Sequence, residues 1–283
     1  MQSFKSEAPS RLNNVSSPQE PTGQPPQSGV PPAGKTLFSR SKDHLSENVR
    51  SSLFAEVELL LLTLFTGIQD AISFPDYHCF ASNQTGNTVF LMLAIIIPEF
   101  NGDMFITANI GAALGFFVFG GWSTGQVSHL IGPRRRWWLI LSNFLQSCLV
   151  FAAALIQYQY GTEKEGAAAI TTVALLAYSS GSQVVQSRSL AMTEISTAMA
   201  TAAWVDLMID PHMFTRDNRS RNRRIGFLVV LVLGTLIGAA IYKTAGSAPA
   251  IFLSAAGKLL VTVMYFFNGA DKAKHHDTEC GLA

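Results

Sequence analysis

No lysine or arginine occurs between Arg50 and Arg134, a gap of 83 residues in a chain of 283. Charged residues make up only 14% of the chain, whereas soluble domains carry about 25%. A soluble domain of this size needs basic side chains on its surface, while helices that face lipid do not. The missing charges therefore exclude an ordinary soluble fold and predict an all-α polytopic membrane protein, with the lipid bilayer as its first partner.

The patterns of most enzymes and of nucleic-acid binders are also missing. The three cysteines are widely spaced, which excludes a disulfide framework and a CxxC zinc site. There is no nucleotide-binding loop, no nucleophile elbow, no HExxH and no GxGxxG. The net charge of +1 gives no surplus of positive charge for nucleic acid. We expect no enzymatic activity, no cofactor and no nucleic-acid partner.

The two ends of the chain differ in composition from its apolar middle. Residues 1–50 hold seven of the 12 prolines and nine serines, with no apolar periodicity and no signal-peptide pattern. We predict a disordered cytoplasmic tail there, a helical membrane domain over 51–268 and a C-terminal tail over 269–283. The lack of an organelle signal favours the plasma membrane.

Six apolar runs are long enough to cross about 30 Å of hydrocarbon as helices. Two further runs are ambiguous: Thr85–Ile97 is short, and Thr193–Ile209 carries Glu194 and Asp206. The six long runs are Val57–Phe74, Met104–Trp122, Trp137–Gln157, Ala167–Gln186, Ile225–Tyr242 and Pro249–Phe267.

Three clusters of basic residues constrain the topology, because such residues concentrate on the cytoplasmic side of membrane proteins. They lie in the N-terminal tail, at Arg134–Arg136 and in the predicted loop 211–224. Eight full crossings would place the second and third clusters on opposite sides. Six full spans plus two re-entrant or half-helical segments place all three clusters and both termini in the cytoplasm, and we favour this topology. An alternative with seven spans places the N-terminal tail outside.

Two polar patterns inside the apolar runs repeat at an offset of 114 residues. Gly67-Ile68-Gln69 and Gly181-Ser182-Gln183 each begin eighteen residues before a second triplet, Thr85-Gly86-Asn87 or Met199-Ala200-Thr201. In the favoured topology the first span runs outward and the fourth inward. The halves, about 55–160 and 165–268, would therefore form a 3+3 inverted repeat, as in many channels and secondary transporters.

Glycines at helical spacing occur at equivalent places in both halves. Gly111 and Gly115 open a face of small residues in the second long run, which Gly120 and Gly121 continue, and Gly234 and Gly238 do the same in the fifth. Small residues let membrane helices approach closely. We predict that these faces meet inside one chain.

The first half supplies the main candidates for a substrate-binding site. Asp70, next to Gln69, lies in a membrane segment, where a carboxylate needs a partner, a proton or a cation. Thr85, Gly86 and Asn87 are typical of a half-helix start, whose N–H groups hold an anion or the Asp70 carboxylate itself. Alternatively, Asp70 caps the following turn, and the triplet is a plain turn before an ordinary helix.

Three candidates in the second half replace this chemistry. Gln183 corresponds to Gln69, Arg188 follows the fourth span, and Glu194 opens the second partial segment. Arg188 and Glu194 either form an ion pair at the cytoplasmic mouth or act separately, as a snorkelling arginine and a helix-start glutamate.

Lys258 lies near the centre of the last apolar run. A lysine there is costly unless it is paired or neutral. Asp70 and Asp206 are its candidate partners, and the alternative is a lysine that reaches for the membrane interface.

Several of these residues carry a resemblance to a known family. Gly67-x-x-Asp70-Ala71, Phe80-Ala81 and Thr85-Gly86-Asn87-Thr88-Val89 resemble the signature of the YoaK-like membrane proteins (domain of unknown function 1275). The second half is similar through Gly181, Gln183 and Arg188. It departs at Val184, where the family often has Asn, and at Met199-Ala200, where it has Thr-Gly. The resemblance spans residues 55–268 and implies a small multi-span protein with no established substrate.

We therefore predict a transporter or channel for a small solute, an ion or protons. Gln69, Asp70 and Asn87 would line its site at the broken helices, and the second half would supply the walls. The alternative is a membrane scaffold or regulatory protein that transports nothing, whose polar residues only lock helices together.

Overall fold

The computed structural model describes residues 44–270, and the tails predicted for 1–43 and 271–283 lie outside the described residues. Within 44–270 the chain forms helices, 3₁₀ turns and isolated β-bridges but no strand, in agreement with the predicted all-α class. The helices are α1 (Leu53–Tyr77), α2 (Gln84–Ile96), α3 (Thr107–Ile131), α4 (Arg136–Tyr160), α5 (Ala167–Ser189), α6 (Ala200–Met208), α7 (Arg219–Ala245) and α8 (Ser247–Met264).

Five helices in the described part are long and apolar enough to cross a membrane: α1, α4, α5, α7 and α8 with its 3₁₀ extension to Phe267. These helices are those of an integral membrane protein. The sixth predicted run, Met104–Trp122, lies in α3, which has 25 residues but is not among the five. Five glycines and the polar side chains of Asn109, Ser123, Thr124 and Gln126 lower the mean hydropathy of α3.

The two ambiguous runs form short helices. At about 1.5 Å per residue, α2 with 13 residues is about 20 Å long and α6 with 9 residues about 14 Å. Both are shorter than the roughly 30 Å of a hydrocarbon core. In the run Thr193–Ile209 only the second half is helical, and a turn region with positive φ at Ala191 and Thr197 precedes α6.

The predicted loop 211–224 is wrong in its second half, because α7 begins at Arg219. The Asn218 side chain caps this helix by accepting a hydrogen bond from the Arg221 N–H at 2.9 Å. Glu56 of α1 pairs with Arg219 and, at 2.6 Å, with Arg223. The cap and these ion pairs stabilise the first turns of α7. The cluster of arginines in this stretch alone predicts a loop.

Helices of the first half pack mainly against helices of the second half. The closest pairings are α1 with α7, α3 with α5 and α4 with α8, and α4 also packs on α5 and α1 on α8. The helices of the two halves are therefore interleaved in one helical unit.

Close backbone approaches at glycine join two of these pairs. A Cβ on Gly181 of α5 would lie 2.1 Å from the Phe117 carbonyl oxygen of α3. A Cβ on Gly234 of α7 would lie 2.2 Å from the Leu64 carbonyl oxygen of α1. Only glycine allows these distances, so backbone packs directly on backbone at both crossings.

The partner glycine at each crossing follows the 114-residue offset. A Cβ on Gly67 would lie 2.7 Å from the Leu231 carbonyl oxygen, and a Cβ on Gly120 would lie 2.4 Å from that of Tyr178. Gly67 corresponds to Gly181 and Gly120 to Gly234, and their carbonyl partners are related in the same way. The two crossings therefore have the same construction.

The predicted packing of glycines inside the chain is wrong for Gly111 and Gly115 but confirmed for Gly120. A Cβ on Gly111 or Gly115 would meet no described atom within 4 Å. Gly120 is nine residues beyond Gly111, and at roughly 100° per residue this places the two on opposite faces of α3. Gly234 and Gly238 do pack within the chain, against Leu64 and Ile68 of α1.

Candidate functional site

The predicted site residues lie in three places. We call the buried polar side chains between α1, α4, α5 and α8 the central core. We call residues 78–96 the first short-helix segment and residues 190–208 the second. The central core contains Gln69, Gln183 and Lys258. The first segment and its contacts include Asp70, Thr85, Gly86 and Asn87. The second segment and its contacts include Arg188 and Glu194.

Glutamines from the two repeat positions cross-link helices inside the central core. Gln69 of α1 donates a hydrogen bond to Ser254 Oγ of α8 at 2.6 Å. Gln183 of α5 donates to Thr66 Oγ1 of α1 at 2.8 Å. All four side chains are buried. These bonds connect α1 to α8 and to α5.

Lys258 is fully buried, and its Nζ donates to Ser179 Oγ of α5 at 2.9 Å. No carboxylate in residues 44–270 forms an ion pair with it, so the predicted pairing with Asp70 or Asp206 is wrong. Its burial also excludes a lysine that reaches the membrane interface. An ammonium group has three donors, and a hydroxyl is weak compensation for a buried charge.

Helix α4 contributes two amides that were not among the predicted site residues. Asn143 donates to the Lys258 carbonyl oxygen at 2.8 Å and to Thr262 Oγ1 at 2.9 Å. Gln146 donates to Gln186 Oε1 of α5 at 3.0 Å. Asn143 and Gln146 are polar residues inside the third apolar run, as Gln69 is inside the first, so the same sequence pattern would have identified them.

Four amide oxygens of the central core have no hydrogen-bond partner within the described chain. They belong to Gln69, Asn143, Gln146 and Gln183. Most buried polar atoms in proteins have a partner, so four such acceptors in one cluster are unusual. With the Lys258 ammonium, they give the core both donors and acceptors for a polar species.

Buried polar residues also extend from the core along two helices. Ser179, Gln183 and Ser187 follow one face of α5 at intervals of four residues. Gln69 and Ser73 do the same on α1. The two helices are antiparallel, since Ser51 Oγ, before α1, donates to the Leu190 carbonyl oxygen, after α5, at 2.7 Å. The two polar faces therefore lead away from the core in opposite directions.

In the first short-helix segment, Asp70 and Asn87 bind the backbone of the stretch that follows α1. Asp70 Oδ1 accepts from the Ser82 N–H at 3.1 Å, and Oδ2 accepts from Ser82 Oγ at 2.5 Å. Asn87 accepts from the Phe80 N–H at 2.9 Å and donates to the Phe80 carbonyl oxygen at 2.7 Å. These bonds fold residues 80–82 back along α1.

Aromatic rings fill the space beside this fold-back. Phe74 stacks on Phe80 with ring centroids 4.8 Å apart and on Phe90 at 6.1 Å. A Cβ on Gly86 would lie 3.1 Å from the Phe80 ring, so the glycine lets the ring approach α2. Thr85 is exposed. The first segment is thus closed by its own side chains.

In the second short-helix segment, charged residues stand at the corresponding positions. Glu194 accepts from Ser220 Oγ at 2.9 Å and pairs with Arg223 at 3.3 Å. The predicted Arg188–Glu194 ion pair is therefore wrong, because the early start of α7 brings Arg223 to Glu194. Arg188 is exposed, and its Nη2 lies 4.0 Å from Met199 Sδ.

A cavity of about 380 Å³ opens between the end of α5, the second segment and α7. Asp206 in its wall lies 3.7 Å from Arg224. The lining residues are Ser187, Arg188, Met192, Thr193, Glu194, Ile195, Ser196, Met199, Ala202, Ala203, Asp206 and Arg224.

Three further buried charged residues were not among the predicted site residues, and each has a hydrogen-bond partner distant in the chain. Their only sequence signal was a charge at the edge of an apolar run. The pairs are Glu58 with Asn268 at 2.6 Å, Asp76 with Gln157 at 2.6 Å, and Arg136 with the Phe266 carbonyl oxygen at 2.9 Å.

The chain was compared with known proteins. No curated protein and no solved structure matches it. The family described as "Protein of unknown function (DUF1275)" matches residues 59–264, which include both short-helix segments and the whole central core. The match confirms the resemblance seen in the Gly67–Ala71 and Thr85–Val89 motifs, and the chain belongs to the DUF1275 family.

Proposed function

We propose that the protein is a transporter or channel for a small solute, an ion or protons, rather than an enzyme, and that its polar path runs through the central core. Lys258 carries this proposal. It is fully buried midway along a membrane-length helix, with one hydroxyl acceptor and no carboxylate partner in the described part. Ionisable residues at such depth are costly and typically mark a transport pathway.

The path follows the polar faces of α5 and α1. From Ser187, which lines the cavity, one face of α5 leads through Gln183 to Ser179 and Lys258. From the core, Gln69 and Ser73 continue along α1 in the opposite direction. A polar species that enters the core would lose hydrogen bonds to water and form new ones with the unpartnered amide oxygens at its centre.

The proposed topology has six spans, with α3 as the sixth, and α2 and α6 as re-entrant segments of an inverted repeat. The two glycine crossings related by 114 residues support the repeat. The Val49 N–H donates to the Arg134 carbonyl oxygen at 2.9 Å, and Glu56 pairs with Arg219. Arg50, the described member of the N-terminal cluster, therefore lies at the same end as the other two basic clusters. That common end fits a cytoplasmic face, with both termini inside and the plasma membrane as the location.

The test is a flux measurement on purified protein in proteoliposomes. The probes are protons with entrapped pyranine, chloride with entrapped lucigenin, and glycerol and urea by stopped-flow swelling. Wild type should move at least one probe faster than empty vesicles, and Lys258→Met should lower that flux at least tenfold. Lys243→Met is the matched control, because Lys243 is an exposed lysine at the end of α7.

A second candidate function is a membrane scaffold or regulatory protein. The bonds of Asp70 to Ser82 and of Asn87 to Phe80 favour it, because they satisfy groups within one segment and lock it. This candidate predicts no flux of any probe and a lower melting temperature for Asp70→Asn. Unchanged flux in Lys258→Met, at wild-type protein levels, would also decide against the proposed path.

A further inference from the structure

The cavity beside the second short-helix segment has the size of a small-molecule site. Its volume of about 380 Å³ lies within the range of ligand pockets. At roughly 30 Å³ for each water-sized group, it holds about a dozen non-hydrogen atoms. A membrane phospholipid is several times larger, so only a headgroup or a compact molecule fits.

The charges in the wall leave one cation without an acidic partner. Glu194 shares Arg223 with Glu56, at 3.3 and 2.6 Å. Asp206 shares Arg224 with Asp210, at 3.7 and 3.4 Å. Arg188 makes no ion pair within residues 44–270, and its guanidinium contacts only the weakly accepting Met199 sulfur. A guanidinium binds a carboxylate through two parallel hydrogen bonds, so an anionic group suits this position.

The rest of the lining suits an apolar body. Met192, Ile195, Met199 and Ala203 line the cavity. Methionine side chains are flexible and polarisable, and they adapt to ligands of different shape. At the same offset in the first half, Arg188 corresponds to Phe74 and Glu194 to Phe80, whose rings stack there. The second half thus leaves open a space that aromatic rings fill in the first.

We propose that this cavity binds a small amphipathic organic anion, with its carboxylate on Arg188 and its apolar body against Met192, Ile195 and Met199. The site is a binding site in its own right, and the inference holds whether or not the chain transports. An anionic phospholipid headgroup shares the same charge chemistry, so the experiment separates the two sources.

The probe is naphthalene-2-carboxylate, titrated calorimetrically into the full-length protein in phosphatidylcholine nanodiscs, with empty nanodiscs as the blank. Wild type should bind it at least tenfold more tightly than the uncharged 2-naphthalenemethanol. Arg188→Gln should weaken the carboxylate at least tenfold and leave the alcohol and the melting temperature unchanged. Arg216→Gln, which removes an exposed arginine outside the cavity, is the matched control and should change neither ligand.

A second variant tests the cavity itself. Ala202→Phe fills the space from an exposed lining position, so it should weaken both the carboxylate and the alcohol without loss of folded protein. No saturable binding of the carboxylate to wild type would overturn the proposal. It would equally be overturned if phosphatidylglycerol added to the nanodiscs abolished carboxylate binding through Arg188, since a lipid headgroup would then be the occupant.

Discussion

The two short-helix segments follow helices related by the same 114-residue offset, yet they are filled in opposite ways. Phe74 and Phe80 stack in the first segment, and Asp70 holds its backbone through Ser82. In the second segment Arg188 and Glu194 occupy the ring positions and border a cavity. The first segment is closed by local contacts, and the second borders an open cavity.

The two motifs have different surroundings in the structure. The intact polar triplet predicts the binding chemistry in the first half and the walls of the site in the second. In the structure Asp70 and Asn87 bind backbone groups of the first short-helix segment. The cavity, with a cation unpaired in the described chain, lies beside the second. A polar residue in a membrane segment therefore marks either a site or a local lock, and its partners distinguish the two.

The largest expected effect tests what the halves have in common. Gly181→Leu places a Cβ 2.1 Å from the Phe117 carbonyl oxygen and must separate α3 from α5. We expect destabilisation of at least about 3 kcal/mol, the upper end for overpacking, and loss of the monodisperse peak in size-exclusion chromatography. Gly67→Leu, at the equivalent crossing, should behave alike, while Gly115→Leu should be tolerated. Opposite behaviour of Gly67 and Gly181 would show that the crossings are not equivalent.

The next prediction tests the difference between the stacked rings at the first segment and the open cavity at the second. Phe74→Ala removes the ring that stacks on both Phe80 and Phe90. We expect a loss of about 3 kcal/mol in equilibrium unfolding with SDS, the low end for aromatic truncation because the ring is partly exposed. Arg188→Ala, at the corresponding position, should stay within about 0.5 kcal/mol. Equal losses for both would mean that the second segment is also closed by packing.

A smaller effect tests the lock on the first segment. Asp70 corresponds to Val184 in the second half, so Asp70→Val places the same residue at both positions. The change removes the two carboxylate oxygens that accept hydrogen bonds from the Ser82 N–H and Oγ. Unfolding in SDS should show a loss of about 1–3 kcal/mol, the cost of stranding buried donors. Thr85→Val serves as the control, because that side chain is exposed. A neutral Asp70→Val would remove the structural role assigned to this carboxylate.

The smallest effect concerns pH and is confined to the second half. Hydrogen bonds from the His212 backbone N–H and the Asn218 amide, with the charge of Arg224, lower the pKa of Asp210 below its ordinary value. A lowered pKa contributes stability at neutral pH that is lost as the pH falls through the folded-state pKa. Limited proteolysis should therefore cut residues 209–218 faster in acid. The loop at 97–106 is the internal control, and parallel changes in both loops would contradict this assignment.

Long apolar runs predicted the helices well, because hydrophobicity over about twenty residues is a local property. The runs of α1, α4, α5, α7 and α8 all became membrane-length helices, and α2 became a short one. The boundary at Arg219 was missed, because ion pairs with Glu56 from another helix extend α7. The repeat offset was also visible in sequence, since it needs only matching residues along the chain.

Partners of buried polar groups were the least predictable feature. Lys258 was identified as unusual from its place in an apolar run, but its contact with Ser179 spans 79 residues. The same holds for Glu194, which pairs with Arg223 of α7 and leaves Arg188 to the cavity wall. An amphipathic pattern indicates that a side chain is buried, but it does not indicate which neighbouring helix the side chain contacts.

The long apolar helices and the repeated residues thus follow from the chain alone, because they depend on composition and spacing over one helix or one offset. Helix packing decided which glycines touch a backbone, which amides gather around Lys258, and which half keeps an open cavity. The physical reason is that a helix rotates its residues by roughly 100° each, so contacts depend on the relative rotation of two helices. That rotation is set by the fit of all their side chains together.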